Sequence, residues 1–512
     1  MVNILISGYY GFDNIGDESI LRTLVSSLRE HIPDCSLTVL SHNPTSTREK
    51  YGVEAVDRMS PMAILRAVKK CDMLISGGGS LLQDVTSSKS LHYYLSIIRC
   101  AEFFHKKVFI YSQGIGPIDR PGNRRATAAA LKRADGIVVR DERSASLLEE
   151  IGIARDKVVI TADPVIRMKK PDGDVGAEIL RKAGVSLDGR LTVGWAIRER
   201  DTDSRFVKEL LRSIQMMKDK YNAQSVLIPF HYEEDGEGCR HIAAQLPDDT
   251  AVCLNEKYLS EDMLSIIGNM DLLVGVRLHS LIYAAIMGVP LIGISYDPKC
   301  TAFLNSVGLD KLSTKENFTA ELFLPEAERV LETGKEQVQC VEAHMAKLSR
   351  KLDTNEKMIC AIMEKSRKHT MQDPQNNTEK KDKSGVRTAG AISFVFLLTL
   401  FAKLLGVVRE MMQANIFGTG IDADLYTASY NSTLYLFTTM CYALCIAAVP
   451  ILTKEFAADR KRGEKAANNL LTITLLGSLA AVVLWQVFAW TPLVGTIWDL
   501  DAAELPRLAS YI

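Results

Sequence analysis

Short apolar runs that end in glycine alternate with helix-like stretches over the first 165 residues. The runs are NILISGYYG (3–11), DMLISGGGS (72–80), VFIYSQGIGP (108–117) and GIVVRDERS (136–144). Uncharged β-rich runs separated by amphipathic helices predict a parallel sheet covered on both faces. The segment Lys169 to Gly189 holds Pro, Gly and Asp and reads as a hinge or linker. A second series follows, with strands expected at 191–198, 225–230, 251–254, 272–277 and 290–296. Helices are expected between them, at 259–270 and 280–288 among others, and an amphipathic helix over 325–366. The pattern predicts two Rossmann-like domains, 1–168 and 190–345, with a cleft between them. Ligands of such sheets bind at the C-terminal ends of the strands.

The pattern then changes. Residues 346–384 read as a helix and a polar linker, ending in the charged stretch Lys365 to Lys383. Over 389–408 there is one charge, Lys403, and none over 425–453 or 466–498. Each run can hold a membrane helix of about 20 residues, so 385–512 is expected to form about three transmembrane helices. Basic residues flank the first run and separate the second from the third. By the positive-inside rule they belong on the cytoplasmic side. The expectation is a multi-pass membrane protein with its α/β front in the cytoplasm.

Lys+Arg is 61 and Asp+Glu is 62, a net charge of −1, which argues against a nucleic-acid partner. The ten cysteines form no C-x-x-C pair and no Cys/His cluster with zinc spacing, so no metal is expected. The opening MVNILISGYYGF lacks a basic segment followed by an apolar one, and no secretory signal is expected there.

The candidate chemistry lies at predicted strand ends. GYYGFDNIGDE (8–18) brings Asp13, Asp17 and Glu18 to a glycine-rich loop, where acid suits sugar hydroxyls better than phosphate. A helix-capping turn is the competing reading. GVRLHSLIYAAIMGVP (275–290) puts Arg277 and His279 at a helix N-terminus, an anion-attracting position. Lys299 in SYDPKC and Arg198 in GWAIRER follow strands of the same unit. Several cations at strand ends imply a multiply charged anionic ligand.

The segments GYYGFDNIGDE, ISGGGSLLQD, YSQGIGP, VVRDERS, TADP and GVRLHSLIYAAIMGVPLIGISYDPK resemble the polysaccharide pyruvyl transferases, in the CsaB-type branch, over about residues 1–345. The resemblance implies a fold similar to the GT-B glycosyltransferases. It also implies transfer of pyruvate from phosphoenolpyruvate, as a ketal, onto a sugar of a lipid-linked cell-wall glycan, commonly N-acetylmannosamine. No further cofactor is implied. His279 then matches the catalytic histidine, and Arg277, Lys299, Arg198 and Arg140 match basic positions suited to phosphoenolpyruvate. Residues 402–430 and 447–456 resemble the start of the MurJ/MviN-type lipid II flippases. There Lys403, Arg409 and Asp424 match cavity positions, and the tail is expected to be a partial flippase region. Two other readings stay open: a GT-B glycosyltransferase using a nucleotide sugar, and a non-catalytic regulator or part of a flippase. The oligomeric state is left open as well.

Overall fold

The computed structural model describes residues 2–85, 87–199, 204–372, 452 and 460–489. The chain divides into two units, Met1–Pro374 and Gln375–Ile512.

Within the first unit, seven strands form one sheet: β1 (Val2–Tyr10), β2 (Cys35–Ser41), β3 (Glu54–Asp57), β4 (Met73–Gly77), β5 (Lys107–Gln113), β6 (Gly136–Val139) and β7 (Val158–Ile160). Their spatial order is β3-β2-β1-β4-β5-β6-β7, and every pairing is parallel. Six more strands repeat the plan: β8 (Thr192–Ala196), β9 (Gln224–Leu227), β10 (Ala251–Cys253), β11 (Leu272–Gly275), β12 (Leu291–Ser295) and β13 (Ser313–Thr314). They are ordered β10-β9-β8-β11-β12-β13, again all parallel. In both sheets the chain starts in the middle, winds outward one way and then returns to wind the other. The order therefore reverses beside β1 in one sheet and beside β8 in the other, where a crevice opens at the strand ends.

The strand sequences explain this burial. β4 and β11 are buried along their whole length and carry no charge, as a strand covered on both faces requires. The expected hinge at 169–189 is not merely a linker. It contains the helix Val175–Lys182, capped by Asp174, whose Ala177 and Leu180 are buried. The two halves also share packing. Ile15 and Ile20, from the helix Ile15–His31 of the first half, lie in a core built mostly from the second.

The expected helix over 325–366 is longer, spanning Ala320–Gln372. Its Phe323, Ala327 and Val330 belong to the core of the second sheet. Its Ile359 and Met363 lie in the core of the first, beside Ile4, Ile6 and Leu24. Glu356 is buried among first-half groups. It accepts from Ser27 Oγ at 2.6 Å and Tyr111 Oη at 3.1 Å, and Arg167 Nη1 is 3.4 Å away.

In the second unit the structure describes the helix Arg460–Ala489. Among the described residues no helix is long and apolar enough to cross a membrane. The first two expected membrane spans, and Lys403, Arg409 and Asp424 with them, lie outside the described residues. The third coincides in part with the helix 460–489. The membrane reading thus gains no support from the described residues.

Candidate functional site

A cavity of about 680 Å³ lies between the two halves at the C-terminal ends of both sheets. Asp17 and Arg140 line it from the first half, and Arg198, Arg277, His279 and Lys299 from the second. Arg140, Arg277, His279 and Lys299 arrive by the same local rule, in which a buried strand ends, two residues turn, and a helix begins. β11 is followed by Arg277, which starts the helix Leu278–Met287 in extended geometry, so His279 sits in the first turn. No side chain caps that helix, which leaves a partial positive charge facing the cavity. β12 is followed by Asp297, which accepts the Lys299 backbone N–H and starts the helix Pro298–Ser306. β6 delivers Arg140, and the next residue, Asp141, caps the helix Glu142–Glu150.

His279 connects the halves. Its ring rests on the backbone of Gly16, where any Cβ would overlap Nδ1. Its Nε2 is 3.8 Å from Asp163 Oδ2 and otherwise has no partner among the described residues. Burial, with Arg140, Lys299 and Arg277 nearby, pushes its pKa down to about 4 against the pull of Asp163. The imidazole is therefore neutral near pH 7 and can accept a proton.

Asp163, in TADP after β7, is the site residue that sequence reasoning passed over. One oxygen caps its own turn by accepting from Val165 N. The other takes Arg140 Nη1 at 3.0 Å and faces His279. Its signal was present, since a short apolar run, VVI, ends just before it. Arg140 is almost fully enclosed. It donates to Asp163 and to Ser80 Oγ, and a Cβ on Gly114 would meet its guanidinium at 2.7 Å. This explains two of the glycine-rich segments: GGGS supplies a hydroxyl, and QGIGP supplies the room for Arg140.

The cations differ in how they are held. Arg277 is gripped on two sides by the buried Asp235, with Nε donating to Oδ2 at 3.1 Å and Nη2 to Oδ1. Lys299 Nζ has Asp297 at 3.3 Å and is one-third exposed. Arg198 is more exposed, lies over the Tyr296 ring and is 3.5 Å from Glu234. His231 also lines the cavity, with Glu234 3.6 Å from its Nδ1.

Of the three acids in GYYGFDNIGDE, only Asp17 reaches this cavity. Asp13 lies in a separate pocket of about 240 Å³, paired with Lys50 at 2.9 Å and near Lys257 at 3.7 Å. Glu18 is buried and serves the fold, accepting from Gly11 N at 2.8 Å and from Tyr51 Oη. Neither is placed to meet an acceptor in the large cavity. Asp17 differs again. Burial raises its pKa to about 7, helped by Glu18 and Asp163 and opposed by Lys299 and Arg140. Among the described residues no group of three His, Cys, Asp or Glu could hold a metal ion.

A model of the polysaccharide pyruvyl transferase family matches residues 14–298, which contain the cavity residues from Asn14 to Pro298. The amylovoran biosynthesis protein AmsJ of Erwinia amylovora is 21% identical over 368 residues, covering 61% of this chain and 88% of that protein. Among solved structures, Anabaena HepE in complex with UDP and glucose superposes with a TM-score of 0.51 at 10% identity. It covers 71% of this chain and 100% of its own. HepE in complex with UDP-glucose gives the same values. The two parallel-sheet domains thus resemble the GT-B glycosyltransferase fold. The family match ends before the region that resembles the flippases and lends that resemblance no support.

Proposed function

The chain belongs to the polysaccharide pyruvyl transferase family, and from this premise we propose that it transfers pyruvate from phosphoenolpyruvate onto a sugar as a ketal. The observation that carries the reading is the meeting of His279, Arg140 and Lys299 in one cavity, drawn from both halves. Phosphoenolpyruvate has a phosphate and a carboxylate, so it needs at least two cationic contacts. Lys299 has ammonium donors to spare beyond its ion pair with Asp297. Arg140, held in place by Asp163 and Ser80, is a preorganised second cation. Arg277, committed to Asp235, adds its field from one side.

The donor must gain a proton at its methylene carbon, C3, and two sugar hydroxyls must lose theirs. Neutral His279 is suited to take a hydroxyl proton, and Asp163 stabilises the imidazolium that results. The acceptor in this reading is an N-acetylmannosamine-type sugar of a lipid-linked cell-wall glycan. The test is to incubate the purified chain with phosphoenolpyruvate and a short glycan acceptor. Phosphate release coupled to a new ketal methyl signal is expected. Turnover of a UDP-sugar without use of phosphoenolpyruvate would replace this reading with that of a nucleotide-sugar glycosyltransferase.

A further inference from the structure

Two glycines shape the ground around one carboxyl group. Gly79, at φ +42°, has Asp17 Oδ1 where its Cβ would be, so the carboxyl lies against bare backbone. Gly16, the residue before Asp17, carries the His279 ring in the same way. Asp17 thus lines the same cavity as His279 but comes from the other half of the cleft. Its carboxyl makes no hydrogen bond or ion pair among the described residues, and it lines the cavity. The other cleft acids are committed. Asp163 holds Arg140 and caps its own turn, and Asp297 holds Lys299. Glu234 stands against Arg198, Arg277 and His231.

We propose that Asp17 is the acid that protonates C3 of the enolpyruvyl donor, working across the cleft from His279. The inference rests on the pyruvyl-transfer reading given above. The Asp17 O–H bond breaks, and the C2=C3 electron pair forms the new C–H bond. C2 is left electron-poor, and a first sugar hydroxyl adds to it while His279 takes that hydroxyl's proton. The C2–O bond to phosphate then breaks, and the phosphate leaves with the proton from His279. A second hydroxyl closes the ketal and returns its proton to Asp17. The products are the ketal and hydrogen phosphate, and both side chains end as they began.

This division of labour matches the two environments. Paired titratable groups with pKa values pushed apart mark acid and base roles. Asp17, pushed up to about 7, keeps its proton to higher pH than an ordinary carboxyl, whereas His279, pushed down to about 4, has lost its own below neutral pH. The groups that bear on Asp17 are Lys299, Glu18, Arg140 and Asp163, with the phenols of Tyr9, Tyr10 and Tyr94.

The test compares the full chain with Asp17→Asn in pH profiles of kcat and in phosphoenolpyruvate affinity. The wild-type kcat should fall as pH rises above about 7. Asp17→Asn should lower kcat by about 10²-fold, flatten that limb, and leave phosphoenolpyruvate affinity within about threefold. A variant that keeps kcat within twofold, or that loses kcat and donor affinity together, overturns the assignment. If the variant does not fold, the wild-type profile decides, since the absence of a basic limb overturns it too. A wild type that releases no phosphate from phosphoenolpyruvate defeats the pyruvyl-transfer reading itself. Normal turnover with an unaffected variant defeats the Asp17 role alone.

Discussion

His279 and Asp17 should pull stability in opposite directions with pH. The histidine has a folded pKa of about 4 against an ordinary 6.5. Between those values the unfolded chain binds more protons, so the folded state loses stability as pH falls from about 6.5 toward 4. Asp17 has about 7 against 3.8. There the folded chain binds more protons, and stability is lost as pH rises from about 4 toward 7. Asp17→Asn should therefore raise Tm more at pH 8 than at pH 5, and His279→Gln should do so more at pH 5. Thermal melts at both pH values check this, and parallel shifts would contradict it. His279→Ala should lower turnover by about 10²-fold or more, and near-normal turnover would remove the histidine from the reaction. Gly16→Ala removes no functional group, yet its methyl must displace the imidazole. Its kcat should drop at least about tenfold while donor affinity changes less. The sequence made His279 and Lys299 legible because each lies just past an apolar strand, whereas Arg140 came only from the family resemblance. It did not separate Asp17 from Asp13 and Glu18, since three acids in six residues share one composition. The loop before the helix Ile15–His31 turns Asp13 to Lys50, and the first turn of that helix sends Asp17 into the cleft and Glu18 to Tyr51.

At the scale of elements, the long glycine-ended runs were read correctly, while β2, β3, β7 and β13 were not. CSLTVLS mixes hydroxyls with apolar residues, and EAVD is charged at both ends, so neither stands out as a buried run. β7 and β13 are only three and two residues long. The helix Val175–Lys182 was hidden by the Pro, Gly and Asp before it. Asp174 is its cap, so the same residue types that mark a linker also start a helix. The helix Ala320–Gln372 was legible as amphipathic, but its destination was not. Periodicity shows that a face is buried, not which sheet buries it. Glu356 offers the test, because its removal takes away the acceptor of the buried Ser27 and Tyr111 hydroxyls, while Arg167 keeps Ser349 and Asp353. Glu356→Ala should cost about 1–3 kcal/mol in denaturant unfolding. It should leave the donor KM unchanged, as the residue does not line the cavity.

For the whole molecule, the unit boundary after Pro374 predicts that catalysis resides in Met1–Pro374. A chain ended at Pro374 should retain turnover on a short soluble acceptor within about threefold. Loss of turnover together with a lowered Tm would show that the second unit is needed to fold the first. Inside the first unit the halves are also joined by ion pairs, Arg22 with Glu261 and Lys257 with Asp13. These pairs are partly exposed and contribute little by themselves. The stronger link is the helix Ala320–Gln372, which places Ile359 and Met363 in a core begun by Val2, Ile4 and Ile6. Order of synthesis is thus not order of completion. As the ribosome releases the first half, its hydrophobic interior still lacks Ile359 and Met363, which are encoded well beyond its end and after the whole of the second sheet. That half must wait, with an apolar groove open, until the second has been made. A chain stopped at Thr319 would contain every strand and every cleft residue named above, yet it would leave the groove permanently unfilled, as a site for chaperones or for aggregation.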